Sequence, residues 1–137
     1  MDDLIPADAL AESNINLAAK IASNNMRAGE LAAKKFIEVL PAGSEVIVVE
    51  GAAGNTSSID RVAGFTDTAT AGGLKVVASQ PADWDRAKAF DVSSNLMQAN
   101  TNVNGIFAAN YGMGLGIVEA GAAAGLEGQV IVASFDG

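Results

Sequence analysis

Glu45-Val46-Ile47-Val48-Val49-Glu50, followed by Gly51-Ala52-Ala53-Gly54-Asn55-Thr56, decides the fold. Four consecutive β-branched residues mark a strand with both faces buried, the situation of a strand inside a parallel sheet. A strand with one wet face would alternate apolar and polar residues instead. The glycine-rich segment after it reads as a tight loop. Ser57 or Ser58 then opens a helix that runs to about Ala71, where Gly72-Gly73 breaks it.

The same strand–loop–helix unit recurs on both sides. Downstream, Leu74 to Ala78 reads as a strand and Ser79 to Asp85 as a loop holding Pro81 and Trp84. Asp85 caps a helix to about Asn100, with Phe90, Leu96 and Met97 facing inward. Asn102 to Asn104 read as a turn, Ile106 to Ala109 as a strand, Asn110 to Gly112 as a loop and Met113 to Ala124 as a helix. Gly125 to Gly128 turn the chain into a strand from Val130 to Ser134, followed by Phe135-Asp136-Gly137. Upstream, Asn24 or Asn25 caps a helix to about Leu40, on which Leu31, Ala32, Lys35 and Phe36 follow helical spacing. Ile15 to Ala22 fits either a strand or a helix; its short length and the polar Ser23-Asn24-Asn25 after it favour a strand. Residues 1–14 read as a connector and 15–137 as one lobe. Short connections between alternating elements imply right-handed βαβ units. The expected class is therefore α/β: a three-layer αβα lobe with a mainly parallel sheet of five strands and four helices.

Composition narrows the function. The chain has 137 residues, enough for one domain, and half of them are apolar. It has no cysteine and no histidine, which excludes disulfides, thiolate nucleophiles, Cys/His zinc sites and imidazole bases. No metal and no cofactor is expected. A net charge of −8 argues against nucleic acid and against an anionic membrane surface. No apolar run approaches the ~20 residues that span a bilayer. Met1 to Pro6 is acidic and does not read as a signal peptide.

In parallel α/β sheets ligands bind beyond the carboxyl ends of the strands. The positions to inspect are Ser23, Gly51 to Thr56, Gln80 to Asp85, Asn110-Tyr111 and Phe135-Asp136. Ser23 leaves this set if Ile15 to Ala22 is helical. Within this set Asp accepts hydrogen bonds, Asn accepts and donates them, and an indole offers a flat apolar platform. No nucleophile stands beside a base, as a hydrolase would need.

These segments carry a resemblance to a known family. Ser79-Gln80-Pro81-Ala82-Asp83-Trp84-Asp85-Arg86 resembles a loop of ribose- and allose-type receptors. Gly51 to Arg61 with Gly64-Phe65, Ala109-Asn110 with Met113 and Leu115, and Val130 to Gly137 resemble the corresponding segments in the same order and spacing. The family is the ribose/allose/galactose class of periplasmic binding proteins (type I), the soluble receptors of ABC sugar importers. The resemblance implies a two-lobe fold that closes on its ligand, of which this chain corresponds to about half, mainly the C-terminal lobe. It implies a periplasmic binding protein rather than an enzyme, with a monosaccharide and a membrane permease as partners. Carried over residue by residue, Arg61, Asn110 and Asp136 would bond sugar hydroxyls, Trp84 would stack on the ring, and Ser23 and Ala52 would line the pocket. Tyr111 stands where the family usually has Asp. Gly114, Gly116 and Gly121 sit in the following helix, where each costs up to ~1 kcal/mol relative to alanine. Surface left bare by half a fold would favour a homodimer.

Each assignment has a plainer counterpart. A lone tryptophan is commonly core. Arg61 could pair with Asp60 or Asp67 on a wet helix face. Asp136 could cap a turn. Tyr111 is either a surface aromatic or a plug in the pocket. Gly51 to Ser57 lacks the Gly-Lys-Ser/Thr ending of a phosphate loop, and Asp83, Asp85 and Asp91 lack calcium-loop spacing. The alternative functions are the effector-binding lobe of a LacI-type regulator, a flavodoxin-like enzyme, and a truncated or decayed lobe that binds nothing. The first would call for a basic helix-turn-helix, and the chain has none.

Overall fold

A computed structural model describes residues 24–126 and 128–135. The elements are α1 (residues 24–39), β1 (Glu45–Glu50), α2 (Thr56–Ala71), β2 (Lys75–Pro81), α3 (Arg86–Ala99), β3 (Val103–Ala108), α4 (Tyr111–Ala123) and β4 (Ile131–Ser134). The strands form one fully parallel sheet in the order β2-β1-β3-β4. The expected connector 1–14 and strand 15–22 lie outside the described residues.

Strand β1 is buried on both faces, as its β-branched run requires. Val46 and Val48 point to one layer, with Phe36 of α1, Phe65 of α2 and Phe107 of β3. Ile47 and Val49 point to the other, with Val92 and Met97 of α3 and Met113 and Ile117 of α4. The three phenylalanines form the centre of the first layer: Phe65 stacks on Phe107 at 4.5 Å between centroids and meets Phe36 edge-on at 5.6 Å. Two helices on each side of the described sheet complete the three layers.

Several boundaries differ from the sequence reading, for local reasons. Helix α2 starts at Thr56 because Asn55 caps it, its Oδ1 accepting from Ser58 N at 3.1 Å. Helix α4 starts at Tyr111 because Asn110 caps it in the same way, accepting from Met113 N at 2.9 Å. Asp85 caps α3 as expected. Strand β2 runs on through Ser79-Gln80-Pro81, which pair with Val48, Val49 and Glu50. Among the described strands β2 is an edge strand, where proline is tolerated. Strand β3 begins at Val103, so Asn104 lies in a strand; its Oδ1 accepts from Glu45 N at 3.2 Å. On α1, Asn24 and Asn25 are helical residues rather than its cap. The buried face of α1 carries Ala33 and Phe36, while Leu31 is 54% exposed.

Candidate functional site

Helix α2 carries the chain from β1 outward to β2, and α4 carries it from β3 outward to β4. The connections therefore part company above the carboxyl ends of the adjacent strands β1 and β3. Such a switch point leaves a crevice that no crossover fills. The loops after β1 and β3 frame it.

Arg61, on the second turn of α2, occupies this point. Its Nη1 donates to the Ala109 carbonyl, just past β3, at 2.8 Å. Its Nε donates to Asn25 Oδ1 of α1 at 3.0 Å. The guanidinium carbon lies 3.9 Å from the Phe135 ring centroid and 5.6 Å from that of Trp84, both within cation–π range. Neither Asp60 nor Asp67 pairs with it, so the surface ion-pair reading is not what the structure shows. Partial burial draws the guanidinium below its ordinary pKa, yet arginine stays charged throughout the physiological range. Nη2 has no acceptor among the described residues.

Trp84 sits in the loop between β2 and α3, half-buried, with φ of 61° after Asp83 at 53°. Two successive left-handed residues other than glycine are costly, and the loop is tied down to hold them. Ala82 N donates to Glu50 O at 2.9 Å, Asp83 N to Gly51 O at 3.2 Å, and Lys88 pairs with Asp83. The indole lies flat against the backbone of Gly51: a Cβ there would stand 2.4 Å from ring carbons. Gly51 N in turn donates to the buried Ser58 Oγ at 2.8 Å, joining the end of β1 to the start of α2.

Asn110 spends its carbonyl oxygen on the α4 cap, which leaves its amide N–H groups as donors at the crevice. Ala52 is half-buried, next to the glycine that supports Trp84. Tyr111 is 57% exposed and is a surface aromatic rather than a plug. Ser23 and Asp136 lie outside the described residues. The structure thus gathers Arg61, Trp84 and the Ala109-Asn110 turn, and adds two residues that the sequence reading did not assign: Asn25 and Phe135. No group of three acidic side chains able to hold a metal ion occurs among the described residues.

Residues 7–137 match the periplasmic binding protein domain family. The chain is 42% identical to the D-allose-binding periplasmic protein of Escherichia coli (strain K12), across 100% of this chain and 45% of that protein. It is 38% identical to the ribose import binding protein RbsB of Haemophilus influenzae, across 89% of this chain and 41% of that one. A crystal structure of an ABC transporter periplasmic solute binding protein from Actinobacillus succinogenes 130z with bound D-allose is 38% identical; the match covers 79% of this chain and 38% of that one, with a TM-score of 0.76. The chain spans less than half the length of each of these relatives.

Proposed function

The chain belongs to the periplasmic binding protein domain family, and from that premise we propose that it is the sugar-gripping lobe of a periplasmic receptor that delivers a monosaccharide to an ABC importer. The observation that carries this reading is the guanidinium of Arg61, fixed at the switch point beside the Trp84 and Phe135 rings with Nη2 unengaged by the described residues. A pyranose or furanose needs donors for its hydroxyls and an apolar surface for its C–H face. Arg61 and Asn110 supply donors, Trp84 supplies the surface, Asp136 supplies an acceptor, and Ser23 and Ala52 line the pocket. Residues 15–137 act as one binding unit, preceded by a connector. The ligand is of the ribose/allose type, and the relatives named above support that choice by what they bind. The lobe works as a carrier and not as an enzyme, and its outer surface meets the permease. Bare apolar surface along β4 makes it self-associate as a homodimer.

The test uses Trp84, the chain's single tryptophan. Emission is followed while the protein is titrated with D-ribose, D-allose and D-galactose to millimolar concentrations. A saturable change with D-allose or D-ribose is expected. No emission change and no calorimetric heat with any of the three would overturn the proposal.

A further inference from the structure

We infer that Asn25 is a positioning residue, which sets the guanidinium of Arg61 for the sugar without touching the sugar itself. This rests on the sugar-binding reading of Arg61. Asn25 is only 7% exposed, and a buried amide is tolerated when its polar atoms are bonded. Its oxygen accepts from Arg61 Nε at 3.0 Å, and its nitrogen donates to Ser57 Oγ at 3.4 Å. Both partners belong to α2, so a side chain of α1 reads the position of the binding helix directly.

The two helices are held close enough for this. A Cβ on Gly64 would stand 2.0 Å from the Met26 carbonyl oxygen, and one on Gly29 would stand 2.0 Å from that of Arg61. The backbones beside Asn25 and Arg61 therefore touch. Arg61 is then gripped from two elements at once, through Nε by Asn25 and through Nη1 by the Ala109 carbonyl. Two bonds from different nitrogens fix the plane of the guanidinium, which aims Nη2. Without Asn25 the group keeps one bond among the described residues and can swing about its long stem. A preset donor loses less freedom on binding than a mobile one.

The experiment starts without sugar. Arg61 lies 5.6 Å from the centroid of Trp84, so a displaced guanidinium alters the emission of that indole. Asn25→Leu, which keeps the branched shape and removes the acceptor, is expected to change sugar-free Trp84 emission. Asn25→Ser, whose shorter side chain does not reach Nε, is a second route to the same result if Asn25→Leu does not fold. Affinity for D-allose and D-ribose is expected to fall roughly tenfold, the size of one lost hydrogen bond to a charged group. Asn25→Asp keeps an acceptor toward Nε and is expected to recover most of the loss. In an Arg61→Ala background the Asn25 substitutions are expected to have no further effect on affinity, because their route to the sugar is gone. An undiminished effect in that background, or unchanged emission and affinity in both Asn25→Leu and Asn25→Ser, overturns the inference. If the parent chain binds neither sugar, the functional reading fails, while the sugar-free emission still decides whether Asn25 holds Arg61.

Discussion

The bare Cα of Gly51 makes room for the Trp84 indole on the β2 side of the crevice. Adding a methyl group there puts carbon 2.4 Å from the indole, which no real Cβ contact tolerates. The ring has to move, and its backbone, left-handed at Asp83 and Trp84, has little latitude to follow. Gly51→Ala is expected to weaken sugar binding at least roughly tenfold and to shift Trp84 emission, with helix and strand content unchanged by circular dichroism. Full affinity in this variant would mean that the indole is not a sugar platform. Trp84 was legible as a candidate in the sequence because it follows a strand, and Arg61 only because its segment resembles that of a known receptor. Asn25 was not. Its polar neighbours read as a helix cap, which is a local signal, whereas its partner Arg61 is 36 residues away. Phe135 also follows a strand, but nothing local marks an aromatic ring as the floor beneath a distant guanidinium.

Helix α4 shows how far an element can be read from propensity alone. Its glycines look like equal liabilities, yet the structure separates them. A Cβ on Gly116 would stand 2.2 Å from the Arg86 carbonyl oxygen, and one on Gly114 would stand 2.9 Å from Ser134 Cβ. These two let α4 press against α3 and β4. A Cβ on Gly121 meets nothing within 4 Å, and nothing in the structure explains a glycine there. Gly121→Ala is therefore expected to stabilise the fold by up to about 1 kcal/mol through helix propensity. Gly116→Ala gains the same propensity but forces α3 and α4 apart; overpacking costs about 1–3 kcal/mol, so a net loss is expected. Denaturant midpoints of the two variants should move in opposite directions, and a shared direction would contradict the close-packing account. The bidentate Arg86–Glu119 pair, at 2.6 and 3.1 Å, spans the same two helices from outside. Strand β1 was legible because its β-branched run admits one reading. The ends of β2 and β3 were not: Ser79-Gln80-Pro81 owe their strand state to pairing with β1, and Asn104, which the register skips, meets β1 through its side chain at Glu45 N.

At the scale of the whole molecule, alternation of elements foretold a parallel sheet, and the order β2-β1-β3-β4 put the switch point where the candidate residues gather. The same order leaves β4 at an edge of the described sheet, with apolar grooves on both of its faces. Met97, Val118, Leu126, Val130 and Val132 line one, and Leu31, Ala133 and Phe135 line the other. Val118 is 52% exposed and Leu31 54%, an arrangement that water disfavours and a second copy could cover. Opposing this is a net charge of −8 on each copy. Exposed like charges repel over a Debye length of about 8 Å at physiological salt and about 30 Å at 0.01 M. Self-association is therefore expected to be weak at low salt and to strengthen as salt is added, the reverse of a contact built on ion pairs. Sedimentation velocity across protein concentration at both salt levels measures this. Val118→Lys, which sets a charge in one groove without touching the crevice, is expected to shift the equilibrium toward monomer. A single monomeric species at high concentration and high salt would show that the β4 surface does not pair with itself, a result with no bearing on the crevice at Arg61.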